Sequence, residues 1–178
     1  DLDLYVVSGG VECNAGDPVL RDRYYLNDSK GHFTKAPEGT LPDERDSGSV
    51  VLAADFDRDG DLDLFVGGRS IPGQYPLTPN SHLLRNDRNR FTDIIDDLAP
   101  GLKKSGLVTS AVWSDVDNDS WLDLLVTHEW GPVKLYLNNQ GRFENRTTEA
   151  NLAGKLGLWN GIAARDLDHD GDIDYVVT

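Results

Sequence analysis

Three stretches of this chain repeat one pattern: DFDRDGDLDLFV from Asp55, DVDNDSWLDLLV from Asp115 and DLDHDGDIDYVV from Asp166. Each places Asp at positions 1, 3, 5 and 9 and then continues into an apolar run with strand character. The amino terminus, DLDLYVV, matches the tail of the same pattern, so that Asp3, Asp63, Asp123 and Asp174 correspond at spacings of 60, 60 and 51 residues. A period of this length marks a chain built from repeated supersecondary units, each of which needs its neighbours to bury a face.

A second element recurs between the acidic stretches: YYLNDSKGHFT from Tyr24, HLLRNDRNRFTD from His82 and KLYLNNQGRFEN from Lys134. A short apolar run, an Asn-centred turn and a Phe with polar neighbours read as two strands joined by a tight turn, with Phe33, Phe91 and Phe143 equivalent. A third piece, SVVLAADFD, VTSAVWSDVD or NGIAARDLD, precedes each acidic stretch. Its small and β-branched residues predict a strand buried on both faces.

One unit is therefore strand, acidic loop, strand, connection, strand, turn, strand. Four antiparallel strands in each unit of ~40–60 residues are the signature of a β-propeller blade. The predicted fold is all-β, an incomplete propeller segment of about three blades. It divides into a partial blade 1–46, blades 47–105 and 106–159, and a partial blade 160–178. Composition agrees, with 18 Gly and only 38% apolar residues against the usual ~45–50%. Propellers close with four to eight blades. The remaining blades of a longer chain, or additional copies of this one, are thus expected to complete the ring.

The charge is as patterned as the strands. Thirty-one acidic against 17 basic side chains leave a formal net charge of −14, which argues against nucleic acid or an anionic membrane as partner. No apolar run approaches the ~18 residues a membrane span needs. The single cysteine, Cys13, excludes an intramolecular disulfide and any cysteine-built metal site. The acids alternate with Leu, Val, Ile and Phe instead of Ser, Pro and Gln, which excludes a disordered acidic tail.

Carboxylates at positions 1, 3, 5 and 9 around a Gly at position 6 offer hard oxygen donors on a tight loop. A backbone carbonyl from position 7 can complete the six to eight oxygens that Ca²⁺ prefers. The predicted ligands are Asp55, Asp57, Asp59 and Asp63 with the carbonyl of Asp61; Asp115, Asp117, Asp119 and Asp123 with the carbonyl of Trp121; and Asp166, Asp168, Asp170 and Asp174 with the carbonyl of Asp172. Mg²⁺, which demands octahedral geometry and keeps its waters, fits less well. Ordinary charged turns are the competing reading, but four carboxylates within nine residues, three times over, repel one another without a cation. An EF-hand is excluded because position 12 is Val66, Val126 or Val177, where a bidentate Glu is required. In the second loop Ser120 replaces Gly and Trp121 replaces Asp, so a weaker or partly filled site is expected there.

The combination DxDxDGDxDL with LYxNNxxGxF resembles the FG-GAP or VCBS repeat of integrin-α-like β-propellers, over essentially the whole chain. The stretch from Leu107 to Thr178 is similar to bacterial secreted VCBS-repeat proteins related to cartilage acidic protein. The resemblance implies a calcium-stabilised propeller, usually seven-bladed, in a secreted, extracellular or periplasmic setting. It also implies that the acidic loops are mainly structural, each holding the first two strands of a blade.

Antiparallel order places the acidic loops and Asn turns on one face, and the connections from second to third strand on the other. Long loops on a rigid scaffold are where binding resides. Arg69, Tyr75, Trp130 and Trp159 are the candidates for an unknown protein or glycan ligand on that second face, with packing between blades as the competing reading for each aromatic. Trp113 reads as core. Enzyme signals are poor. His128 and Glu129 begin like a zinc-protease motif, but position 132 is Pro instead of His. His32, His82 and His169 have no nucleophile in their sequence context. Asn27 and Asn145 open glycosylation triplets that matter only in a eukaryotic secretory host. The expected function is a non-enzymatic calcium-binding scaffold for recognition or adhesion. A carbohydrate-binding propeller is the alternative, and a polysaccharide lyase or hydrolase using Arg69 or the region of Arg21 and Asp22 comes third.

Overall fold

A computed structural model describes residues 1–178. The chain forms successive antiparallel meanders. The first sheet has three strands, β1 (Leu4–Val6), β2 (Arg23–Asn27) and β3 (Phe33–Lys35). The second has four in spatial order, β4 (Ser47–Ala54), β5 (Asp63–Ser70), β6 (His82–Asn86) and β7 (Phe91–Asp93). Two short helices, α1 (Ile95–Leu98) and α2 (Pro100–Lys103), lead out of it; Pro100 opens α2, where its missing N–H is harmless. The third sheet contains β8 (Val108–Ser114) and β9 (Asp123–His128). After a two-residue strand β10 (Gly131–Pro132) it continues with β11 (Lys134–Asn139) and β12 (Arg142–Asn145). β10 pairs with β13 (Leu156–Gly157) instead, and β14 (Ile162–Arg165) and β15 (Asp174–Val177) form a final two-stranded pair. This is the four-stranded blade pattern of a propeller segment, and no sheet closes on itself.

Alternation along the strands explains why the sheets stack. Phe65 and Leu83 face a core of thirteen buried residues that includes Phe56, Leu102, Val108, Leu124, Val126, Tyr136 and Phe143 and fills the space between second and third sheets. Leu64, Val66 and Leu84 point the other way, against Tyr5 and Tyr24 of the first sheet and Val7 just after β1. Leu125, Val133 and Leu135 do the same toward Ile162, Tyr175 and Val177 of the last pair. Phe56 stacks on Trp113 at 6.0 Å and meets Phe143 edge-on at 5.5 Å. Phe91 and Phe143 are buried, whereas Phe33, in the three-stranded sheet, is 48% exposed.

One strand expectation is corrected. The strand ahead of each acidic loop is not buried on both faces: β4, β8 and β14 have mixed exposure, while all six residues of β9 and the first six of β5 are buried. The reason is position in the sheet. β4 and β8 lie at a sheet edge and pair on one side only, whereas β5 and β9 have a strand on each side.

The interior of β5 also explains its two glycines. A Cβ on Gly68 would lie 2.0 Å from the carbonyl oxygen of Asn80, and the Gly68 N–H donates to Ser81 Oγ at 3.1 Å. Backbone cannot yield as a flexible side chain can, so Gly68→Ala is expected to cost about 1–3 kcal/mol. The urea midpoint should fall with an unchanged slope; an unaltered midpoint would refute this packing.

Candidate metal centres

The β4–β5, β8–β9 and β14–β15 connections are the three acidic loops, and they adopt one geometry. Residue 4 of each loop is left-handed (Arg58 φ 64°, Asn118 φ 60°, His169 φ 64°), and so is residue 6 (Gly60 φ 96°, Ser120 φ 72°, Gly171 φ 100°). Two left-handed residues so close together wind the chain tightly enough for the position-1 carboxylate to accept backbone N–H groups across the loop. Asp55 accepts from Asp59 and Gly60 at 3.1 and 3.2 Å, Asp115 from Asp119 and Ser120 at 3.1 and 2.9 Å, and Asp166 from His169 and Gly171 at 2.7 and 3.1 Å.

This winding brings positions 1, 3 and 9 together. Asp55, Asp57 and Asp63 each offer an oxygen within 4.8 Å of the others, as do Asp115, Asp117 and Asp123, and Asp166, Asp168 and Asp174. Position 5 lies outside these triads. Asp59, Asp119 and Asp170 each turn an oxygen to the N–H of position 7, at 2.9, 2.8 and 2.9 Å. At position 7, the Asp61 side chain accepts from the Arg88 N–H at 3.0 Å and so ties its loop to the β6–β7 turn on the same face. Asp172 is exposed.

Position 9 carries the electrostatic tension. Asp63 and Asp123 are 0% and 1% exposed. Asp63 Oδ1 accepts the Asn86 N–H at 2.8 Å, while Oδ2, equally buried, has no partner. Burial, reinforced by the charges of Asp57 and Asp59, pushes the Asp63 carboxyl up to about 7. Asp123 is pushed up to about 6, again mainly by burial, although both its oxygens accept backbone N–H groups. A buried carboxylate with an orphaned oxygen beside two others is costly unless paired. An all-oxygen donor set of this kind fits a hard divalent cation, and Ca²⁺ better than Mg²⁺.

The second loop holds a contact that no local pattern announces. Arg58 of the first loop lies over the Trp121 ring, 4.4 Å from its centroid, and donates to the Ser120 carbonyl. Both departures from the repeat are thus engaged by one guanidinium. Ser120 keeps the left-handed backbone of its Gly counterparts at a strain of about 1 kcal/mol, and the cation–π contact returns ~0.5–1 kcal/mol.

A fourth cluster joins Glu44, His82 and Asp93. Here both imidazole nitrogens are taken, by Asp93 at 2.8 Å and Asp46 at 3.1 Å. Burial alone would lower the His82 pKa, but these hydrogen bonds and the charges of Asp93 and Glu44 raise it to about 9. The group is a charged clamp. His128 is the opposite case: buried, pushed down to about 4 by burial, and bonded to Pro132 O and Ser105 Oγ, both at 3.2 Å. It is a neutral core histidine. His32 and His169 are exposed.

Of the ligand candidates on the other face, the structure brings Arg69, Tyr75 and Trp130 together, joined by Glu129. It separates Trp159, whose Nε1 donates to Gly131 O at 3.1 Å while its ring packs against the Val133 and Leu135 cluster. Asp22 accepts from Tyr5 Oη and the Ser8 N–H, both at 2.6 Å, and Arg21 pairs with Asp43 at 2.6 Å, so both are tied into the scaffold.

With this geometry in hand, the chain can be set beside known proteins. The FG-GAP-like repeat model matches residues 1–66 and 115–177, which include all three acidic loops, the second range opening on Asp115 itself. The chain belongs to the FG-GAP-like repeat family. It is also 34% identical to cartilage acidic protein 1 of Mus musculus over 102 residues, 54% of this chain. To the Homo sapiens protein of the same name it is 33% identical over 98 residues, 52% of the chain. These alignments span 15% and 14% of the length of the two relatives. Within the matched ranges the acidic loops join β4 to β5, β8 to β9 and β14 to β15.

Proposed function

We propose that this FG-GAP-like segment is a calcium-stabilised, non-enzymatic scaffold for extracellular recognition or adhesion. Its protein or glycan partner would be met on the face opposite the acidic loops. The observation that carries the reading is the buried Asp63 carboxylate, one oxygen unpartnered, facing Asp55 and Asp57 in a loop geometry repeated three times. Calcium would be held by the side chains at positions 1, 3, 5 and 9 and the carbonyls of Asp61, Trp121 and Asp172. It would supply the charge that the carboxylates lack, and so pin the first two strands of each blade. Loops of this kind suit the calcium concentrations of extracellular modules, about 10⁻⁴–10⁻³ M, which supports a secreted or periplasmic setting. No helix is long and apolar enough to cross a membrane. Further blades of a longer chain, or further copies, would close the ring.

Equilibrium dialysis followed by metal analysis tests this reading. About three calcium ions per chain are expected, the site at 115–123 filling last because of Ser120, with about two in Asp63→Asn. Stoichiometry that Asp63→Asn leaves unchanged would remove the first site from the set, and no bound calcium at all would end the proposal.

A further inference from the structure

On the face opposite the acidic loops, two sheets assemble a second constellation. Tyr75 lies in the β5–β6 connection, where successive turns fix the backbone (Gln74 N–H to Ile71 O, 2.9 Å; Leu77 N–H to Gln74 O, 2.8 Å). Trp130 lies between β9 and β10, held on one side by Glu129 N–H to Leu107 O at 2.9 Å and on the other by Trp159 Nε1–H to Gly131 O at 3.1 Å. The two side chains meet across 55 residues of sequence. Trp130 Nε1–H donates to Tyr75 Oη at 2.8 Å, and the Tyr75 hydroxyl donates to Glu129 Oε1 at 2.9 Å. Arg69, near the end of β5, pairs with the other oxygen of Glu129.

Every polar side-chain donor of the two aromatics is therefore committed within the group, yet Tyr75 and Trp130 remain 58% and 59% exposed. The fold holds two large rings in place by hydrogen bonds and leaves them uncovered. What they offer a partner is ring surface, bordered by a carboxylate and a guanidinium whose charges cancel.

We propose that Arg69, Tyr75, Glu129 and Trp130 form a subsite for a neutral saccharide. This deepens the recognition scaffold proposed above and rests on it. A pyranose presents an apolar face of C–H bonds, which suits the electron-rich face of an aromatic ring, and a rim of hydroxyls that needs fixed donors and acceptors. Glu129 has lone pairs, and Arg69 N–H groups, beyond those used in their mutual pairing. An anionic sugar is disfavoured by the net charge of −14. An ammonium ligand would find a ring face but no unmatched carboxylate, because Glu129 is neutralised by Arg69. The rings are pre-positioned, so binding orders little protein, which favours affinity.

The test is saturation-transfer NMR on the 178-residue chain with the methyl glycosides of glucose, galactose, mannose and N-acetylglucosamine. At least one should receive saturation on its ring C–H protons, with a Kd on the order of 1 mM. Trp130→Ala should weaken binding about tenfold or more. Tyr75→Phe, which keeps the ring and removes the hydroxyl tether, should weaken it roughly threefold through lost positioning without shifting the melting temperature. No transfer to any of the four glycosides would overturn the subsite, as would a Kd that Trp130→Ala leaves unchanged. Tetramethylammonium chloride perturbing the Trp130 indole N–H where no glycoside does would overturn it in favour of a cation. A calcium melting curve on the same sample separates the two readings. A calcium shift without saccharide binding overturns the subsite alone, and saccharide binding without a calcium shift upholds the subsite and removes the calcium sites.

Discussion

Calcium at about 10 mM, added to the metal-free chain, is expected to raise its melting temperature by on the order of 10–20 °C. With dissociation constants of about 10⁻⁴–10⁻³ M, each filled site adds roughly 1.4–2.7 kcal/mol by mass action. Three sites sum to about 4–8 kcal/mol, and a domain of this size shifts by ~2–4 °C per kcal/mol. The effect should depend on pH in a definite direction. The folded pKa values of Asp63 and Asp123, about 7 and about 6, lie above the ordinary value of 3.8. Their protons therefore favour the metal-free fold, and that advantage is lost as pH rises from about 4 through 7. Calcium takes the place of the proton, so its shift should be larger at pH 8 than at pH 5. Magnesium should do much less. Melting curves that coincide with and without calcium at pH 8 would leave the acidic repeats as solvated turns.

The second large effect belongs to His82. Its imidazolium sits 5% exposed at the start of β6. It faces Asp93 from β7 and Asp46 and Glu44 from the segment before β4, with Asp22 from the β1–β2 connection nearby. The folded pKa of about 9 stands above the ordinary 6.5, so the stabilisation is complete below pH 6.5 and is lost as pH rises through 9. At 1.36 kcal/mol per pH unit this amounts to about 3 kcal/mol. The calcium-loaded chain, in which the acidic loops stay ionised, should melt about 10 °C lower at pH 9.5 than at pH 6.5. His82→Gln should flatten that slope and lower stability at pH 6.5 by roughly 3 kcal/mol, since it leaves a group of carboxylates without its cation. The same slope in His82→Gln and in the parent would assign the pH dependence to another group. Beside this clamp, Asp22 and Glu44 are both raised by burial, with the His82 charge pulling each back down.

Neither histidine could be assigned its state from the sequence. His82 opens β6 and His128 closes β9, and nothing in their local sequence fixes the protonation state of either. Asp46, 36 residues away, holds His82 charged, whereas burial beside Ser105 keeps His128 neutral. The aromatics behave alike. Tyr75, Trp130 and Trp159 share a loop context on one face, but only the first two meet, because Trp159 finds a carbonyl acceptor and an apolar neighbour at the turn into the last pair. The Arg58–Trp121 contact joins residues 63 apart in sequence and compensates two substitutions that, read locally, only weaken the repeat.

The features legible in the sequence were those encoded within about a dozen residues, or by the recurrence of such a stretch every 51–60 residues. They are the period of the acidic motif, the strand order it implies, the Asn-centred hairpins, and the left-handed residue at position 6 with the carboxylates gathered at positions 1, 3 and 9, whereas position 5 turns to the N–H of position 7. Each depends on backbone dihedrals and side-chain alternation, which neighbouring residues dictate. Tertiary structure decided which strand is buried on both faces, which carboxylate oxygen is orphaned, which histidine carries a proton and which rings share a surface. These follow from desolvation and from charges or rings brought within a few ångströms by stacking of sheets. Contacts of that kind have no signature in local spacing, because the partners lie tens of residues apart and are set by how the blades pack.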